Sequence, residues 1–238
     1  MNDWTYDKAA DLGLAPGARM RSVKREPGLV SLAGHYATTA LLRLYFFAYH
    51  RLEVRGRQFL PRRVPFVLIS NHSSHLDALA LSVSLPIRAR FDTFPVAAGD
   101  VFFRNSASSL FASLFLNALP LYRKGVTSHA LEDLRARLSE GHCGLILFPE
   151  GTRSRTGEMT GFKAGLGMMI AGSNIPVVPC HFYGAVDALP PGKWLPRPRR
   201  LVLLIGPALT FQDASNDRSG WTSVAARCEE AVRALKLE

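Results

Sequence analysis

The sequence has few cysteines, few acidic residues and no long uninterrupted apolar run. Its three cysteines, Cys143, Cys180 and Cys228, form no paired framework and no C-x-x-C motif. That speaks against structural disulfides and for a reducing compartment. Nineteen acidic residues stand against 29 lysines and arginines, a formal net charge of +10 in 238 residues. A balance this basic favours phosphorylated substrates, polyanions or an anionic membrane surface as partners. The opening "MNDWTYDKAADLGL" lacks the basic start and apolar run of a secretory signal. There is no internal repeat, no low-complexity tract and no recognisable nucleic-acid motif. No serine or cysteine sits in a nucleophile elbow, so an acyl-enzyme is not expected.

What is present is a chain rich enough in apolar residues, at 47%, to bury a sizeable core. Residues 29–49, "LVSLAGHYATTALLRLYFFAY", read as a helix, but His35, Thr38, Thr39 and Arg43 interrupt it too soon for a span of ~20 apolar residues. Basic residues flank it on both sides, which suits a helix lying in a membrane interface. Packing of that helix on the domain's own core is the plainer alternative. Downstream, "LEVRG", "PFVLIS", "GLILF", "IPVVP" and "RLVLLIG" read as strands, alternating with helical segments at 77–85, 127–141, 162–172 and 221–238. Continuous apolar strands alternating with helices predict an α/β fold, a mostly parallel mixed sheet covered on both faces. The expected division is an N-terminal arm and interfacial helix over 1–50 and an α/β domain over 51–238. A second, aromatic stretch at 101–121 holds Phe102, Phe103, Phe111 and Phe115, candidates for core, acyl tunnel or lipid contact.

Three polar motifs follow predicted strands. In "NHSSHLD", His72 and Asp77 are five residues apart, a rotation of ~140° on a continuous helix. They converge only if His72 lies in the turn before the helix and Asp77 in its first turn. An aspartate on one imidazole nitrogen fixes the tautomer and leaves the other nitrogen to take a proton from an alcohol. Ser74 and Asp77 also match a capping box, with Ser74 at the N-cap. A zinc site from His72, His75 and Asp77 lacks a third ligand with familiar spacing, so no metal is expected. In "FPEGTRS", Gly151 permits close backbone approach and Arg153 can grip a phosphate, with Glu150 orienting it or meeting a substrate hydroxyl. A polar surface turn with a Glu–Arg pair is the alternative. In "LPLYRKG", Arg123 and Lys124 could reach a phosphate or stay a solvated basic turn. Trp194 in "PPGKWLPRPRR" stands among basic residues, in a loop suited to lipid head groups, CoA phosphates or an acidic carrier protein.

In this order "NHSSHLD", "LPLYRKG", "FPEGTRS" and "IPVVPC" resemble the glycerolipid acyltransferases, including bacterial 1-acylglycerol-3-phosphate acyltransferases, over roughly residues 50–210. The resemblance implies acyl transfer from acyl-CoA or acyl-carrier protein to a hydroxyl of a lyso-lipid acceptor, with no metal or bound cofactor. It implies His72 as general base with Asp77 as its partner. It implies Arg123, Glu150, Gly151, Thr152 and Arg153 in acceptor recognition. It also implies a membrane anchor at 29–49 and work at the cytoplasmic face of the cell membrane. Where the phosphatidate-forming enzymes usually carry Asp-Arg, this sequence has Tyr122-Arg123, which leaves the acceptor open. The oxyanion of the tetrahedral intermediate is expected to meet backbone N–H groups at a nearby helix start. A hydrolase using the same His–Asp pair and a non-enzymatic lipid-binding module are the rival readings.

Overall fold

The computed structural model describes residues 13–15, 29–98, 117–121, 128–141 and 143–237. Elements run α1 (Leu29–Ala48), β1 (Glu53–Arg55), β2 (Phe66–Ser70), α2 (Leu76–Ser84), α3 (Ile87–Phe91), β3 (Thr93–Ala98) and β4 (Leu119–Leu121). They continue with α4 (Ser128–Ser139), β5 (Gly144–Leu147), α5 (Gly165–Ile170), β6 (Val177–Tyr183), α6 (Ala185–Ala188), β7 (Val202–Ile205) and α7 (Arg218–Arg233). Among the described residues, seven strands form one sheet in the order β1-β7-β6-β2-β5-β3-β4. Every neighbouring pair is parallel except β6 with β7. The expected mostly parallel, mixed sheet is therefore what forms.

Side chains on a strand alternate between faces. Phe66 and Leu68 of β2, with Val178, Cys180 and Phe182 of β6, enter the core beneath α1 and α2. Val67, Ile69 and Val177 enter the core beneath α4, α5 and α7. Both faces are covered, which is why these strands read as unbroken apolar runs. The three cysteines are free and buried in these cores. Burial raises the thiol of Cys143 to about 11 and that of Cys228 to about 12. On the second face α5 lies almost backbone to backbone on α7. A Cβ at Gly167 would stand 2.2 Å from the carbonyl oxygen of Trp221.

The sequence reading lacks α3, β3, β4 and α6, and it starts α7 too late. β3 carries Pro95 opposite Ile146 of β5, and a proline inside a strand lacks its ladder N–H and argues against a central position. α7 begins three residues earlier than expected, because Asp217 caps it by accepting a hydrogen bond from Gly220 N at 2.8 Å. The aromatic run 101–116 lies outside the described residues, as do Tyr122, Arg123 and Lys124.

α1 carries apolar side chains on both its inner and its outer face. Among its described side chains, His35, Thr39 and Phe46 are buried against the domain, and Leu42 and Tyr45 pack half-buried on the core. Ala33, Tyr36, Ala37, Ala40, Leu41, Leu44, Phe47 and Ala48 are all exposed, Phe47 at 75%. At ~100° per residue these apolar positions share one outward arc of roughly 140°. Arg43 sits at the margin of this arc and donates to the carbonyls of Val83 and Leu85, at 3.0 and 2.8 Å, at the C-terminal end of α2. A cation there satisfies carbonyls that the helix itself leaves unpaired. Among the described residues no helix is long and apolar enough to cross a membrane.

Candidate active site

Sheet register brings the distant motifs together. Ile69 of β2 lies opposite Leu147 of β5. Three residues beyond each, past the C-terminal ends of the strands, stand His72 and Glu150. The backbone N–H of His72 donates to Glu150 Oε1 at 2.7 Å, and Ser154 N–H donates to the carbonyl of His72 at 2.8 Å. On the other side of β2, the Asn71 amide pairs with both backbone groups of Phe182 on β6, at 3.0 and 2.8 Å. The turn after β2 is thus held from both neighbouring strands.

Within that turn, His72 Nδ1 lies 2.9 Å from Asp77 Oδ2. His72 precedes α2 and Asp77 occupies its first turn, the one arrangement that the spacing permits. The Asp77 side chain is buried, and its Oδ2 also accepts the N–H groups of Ser73 and Ser74 at 2.7 and 2.8 Å. Those bonds fix the carboxylate before the imidazole uses it. Phe148 stacks on the His72 ring at 4.1 Å, clamping its plane. With Nδ1 committed to Asp77, Nε2 is the ring nitrogen left for a substrate proton.

The capping box forms only in part. Asp77 accepts from Ser74 N–H, as a box requires. His75, however, is the N-cap residue. The Ser74 hydroxyl accepts from Leu76 N at 3.3 Å and donates to the carbonyl of Leu189 at 3.1 Å. Backbone donors at this helix start are largely engaged. The N–H groups of Ser73, Ser74, Leu76 and Asp77 are bonded within the turn.

Among the described residues no cluster of three or more His, Cys, Asp or Glu could hold a metal ion. Burial, then the Arg153 cation, then His72 hold the imidazole of His75 down at about 4. It is neutral near pH 7, and the repulsion places Arg153 within electrostatic reach of the His72 turn. Because the folded form binds this proton less readily than the unfolded chain, stability falls as pH drops from about 6.5 towards 4. Thermal melts across that window are expected to show a smaller acid loss for His75→Gln than for the parent.

The "FPEGTRS" loop holds two surprises. Glu150 is 2% exposed. Its Oε2 takes the Thr160 N–H and hydroxyl at 2.8 and 2.7 Å while Oε1 takes His72 N–H. It braces the His72 turn, a structural task that the sequence does not announce. Gly151 has φ +73°, a left-handed conformation that glycine adopts freely, and a Cβ there would stand 2.7 Å from Lys163 Nζ. Lys163 therefore brings a second cation to the loop that carries Arg153. Sequence reading missed it because "FKAGLG" looks like an ordinary helix start. Thr152 is exposed and Arg153 half-buried. Arg123 falls two residues beyond β4, outside the described residues. β4 itself is parallel to β3 and ends at the same edge of the sheet as His72.

Comparison with known proteins points one way. The family model described as Acyltransferase matches residues 51–183. The chain is 30% identical over 139 residues to human 1-acyl-sn-glycerol-3-phosphate acyltransferase alpha, covering 58% of this chain and 48% of that protein. It is 25% identical over 190 residues to the 1-acyl-sn-glycerol-3-phosphate acyltransferase of Limnanthes douglasii, covering 80% and 64%. The match thus spans about half the length of the mammalian relatives. The fold is similar to the crystal structure of the 1-acyl-sn-glycerophosphate acyltransferase PlsC from Thermotoga maritima. The TM-score is 0.61 at 21% identity, over 87% of this chain and 83% of that one.

Proposed function

Because this chain belongs to the Acyltransferase family, we propose that it is a membrane-associated O-acyltransferase. It moves a fatty acyl group from acyl-CoA or acyl-carrier protein to a hydroxyl of a lysophosphatidate-like acceptor. The observation that carries this reading is the His72–Asp77 pair, bonded at 2.9 Å and held at the C-terminal edge of the sheet. His72 Nε2 takes the acceptor hydroxyl's proton while that oxygen attacks the thioester carbonyl. Asp77 stabilises the imidazolium. As the tetrahedral intermediate collapses, the C–S bond breaks and the proton passes from Nε2 to the departing thiolate. Arg153, with Lys163 beside Gly151, supplies positive charge suited to an acceptor phosphate. Arg123 joins them in this reading on the strength of the family resemblance, and no metal or bound cofactor is required.

The outward arc of α1 supports membrane association, since its exposed side chains are apolar and its buried ones include His35 and Thr39. Acyl thioesters are cytoplasmic, so the working face is the cytoplasmic side of the membrane.

Mass-spectrometric product identification tests the reading. Purified protein is offered a panel of lyso-lipids with acyl-CoA and, separately, acyl-carrier protein. The expected product is an acylated acceptor in amount equal to the free thiol released. Free fatty acid without acylated acceptor would instead make the pair a hydrolase. No product from any combination would leave only a lipid-binding role.

A further inference from the structure

The loop between α6 and β7 projects two large apolar side chains into solvent. Trp194 is 94% exposed and Leu195 83%. Lys193, Arg197 and Arg199 beside them are exposed as well, while Arg200 is bonded to Glu53. The loop is not a loose one. Pro190, Pro191, Pro196 and Pro198 fix four of its φ angles. Arg197 N–H donates to the carbonyl of Ala188 at 2.7 Å, and Lys193 N–H to that of Pro190 at 3.1 Å. A tip already held in shape loses little conformational freedom on docking.

Two further bonds say where the loop belongs. The Tyr49 hydroxyl donates to the carbonyl of Pro196 at 2.9 Å, and His50 Nδ1 lies 3.2 Å from the carbonyl of Arg199. The loop is thereby fastened to the two residues that follow α1. At its root, the carbonyl of Leu189 accepts from the Ser74 hydroxyl, and Ser74 N–H bonds to Asp77. One end of the loop is thus tied to the segment just after α1, and the other to the turn that carries the His–Asp pair.

We propose that Trp194 and Leu195 form a second lipid anchor, which inserts into an anionic bilayer surface and seats the His72–Asp77 turn against it. Indole is apolar over most of its surface with one N–H donor, and it favours the head-group level of a bilayer. The cations at the loop's base match anionic head groups, each worth roughly fivefold in binding near the surface. Charge complementarity argues for lipid: Lys193, Arg197 and Arg199 surround an exposed indole and leucine, a pairing that anionic head groups over acyl chains can meet. The inference rests on the membrane part of the proposed function and not on the acyl-transfer chemistry.

The test uses the full chain with Trp4→Phe and Trp221→Phe, so that Trp194 is the sole indole. Vesicles of phosphatidylcholine mixed with phosphatidylglycerol are expected to shift its emission to the blue, with quenching by brominated phosphatidylcholine. Trp194→Ala with Leu195→Ala is expected to weaken vesicle binding roughly tenfold or more, without changing Tm. Turnover on a vesicle-embedded acceptor falls with it, while turnover on a monomeric short-chain acceptor is unchanged. Vesicle binding with no change in Trp194 emission overturns the loop's role and leaves the α1 surface standing. A blue shift with acyl-carrier protein but not with vesicles makes the loop a protein dock instead. If no acceptor is acylated at all, the acyltransferase reading fails, yet the emission experiment still decides the anchor.

Discussion

Replacing His72 with alanine is expected to lower turnover by at least ~10²-fold, the usual worth of a positioned general base. The fold should survive, because the ring projects from a turn whose backbone is held by Glu150 and Ser154 rather than by the imidazole. Unchanged circular dichroism together with near-normal turnover would remove His72 from the reaction. Asp77→Asn is the companion variant. All three donors that Asp77 receives converge on one oxygen, Oδ2, while Oδ1 has no hydrogen-bond partner among the described residues. An asparagine oxygen in that place can keep every one of these bonds. The substitution therefore removes the counter-charge to the imidazolium while preserving the ring's orientation. Its turnover should fall, though less than that of His72→Ala.

Glu150→Ala should cost both stability and rate. It orphans His72 N–H, Thr160 N–H and the Thr160 hydroxyl in a site where the carboxylate is almost wholly buried. At ~1–3 kcal/mol for each donor left unpaired, a loss of about 3 kcal/mol or more is expected in denaturant unfolding. The His72 turn then loses its tether to the loop after β5. Displacements of ~1 Å in a reacting group can cost ~10²-fold in rate, so kcat should drop with little change in the acceptor's KM. Glu150→Gln keeps one acceptor oxygen and should recover part of the Tm. A raised acceptor KM with unaltered stability and kcat would instead make acceptor recognition the main task of Glu150.

The contrast between His72 and Glu150 shows how far sequence reasoning reaches. The His72–Asp77 spacing is local. Helix geometry forbids their meeting on one helix and permits it across a strand–helix turn, so seven residues suffice to predict the contact. Glu150 is different. Its neighbour Arg153 is three residues away, so a Glu–Arg pair or a substrate contact seemed natural. Its partners are His72 and Thr160, and nothing in seven consecutive residues announces them. Lys163 escaped for the same reason, since its amine reaches Gly151 across a loop rather than along a helix. β3 was hidden by Pro95, whose local signal opposes the strand that tertiary pairing with β5 imposes.

The sequence by itself determined the alternation of strands and helices, the turn that joins His72 to Asp77 and the basic, apolar character of the chain. Each follows from short-range periodicity, steric limits or composition. Only the tertiary structure decided which motifs are neighbours and which faces remain outside. Parallel pairing of β2 with β5 sets Glu150 beneath His72. Docking of α1 buries His35 and Thr39 while turning Leu41, Leu44 and Phe47 outward. These outcomes depend on contacts between residues far apart in the chain, and periodicity shows that a helix has faces without showing which one the core will take.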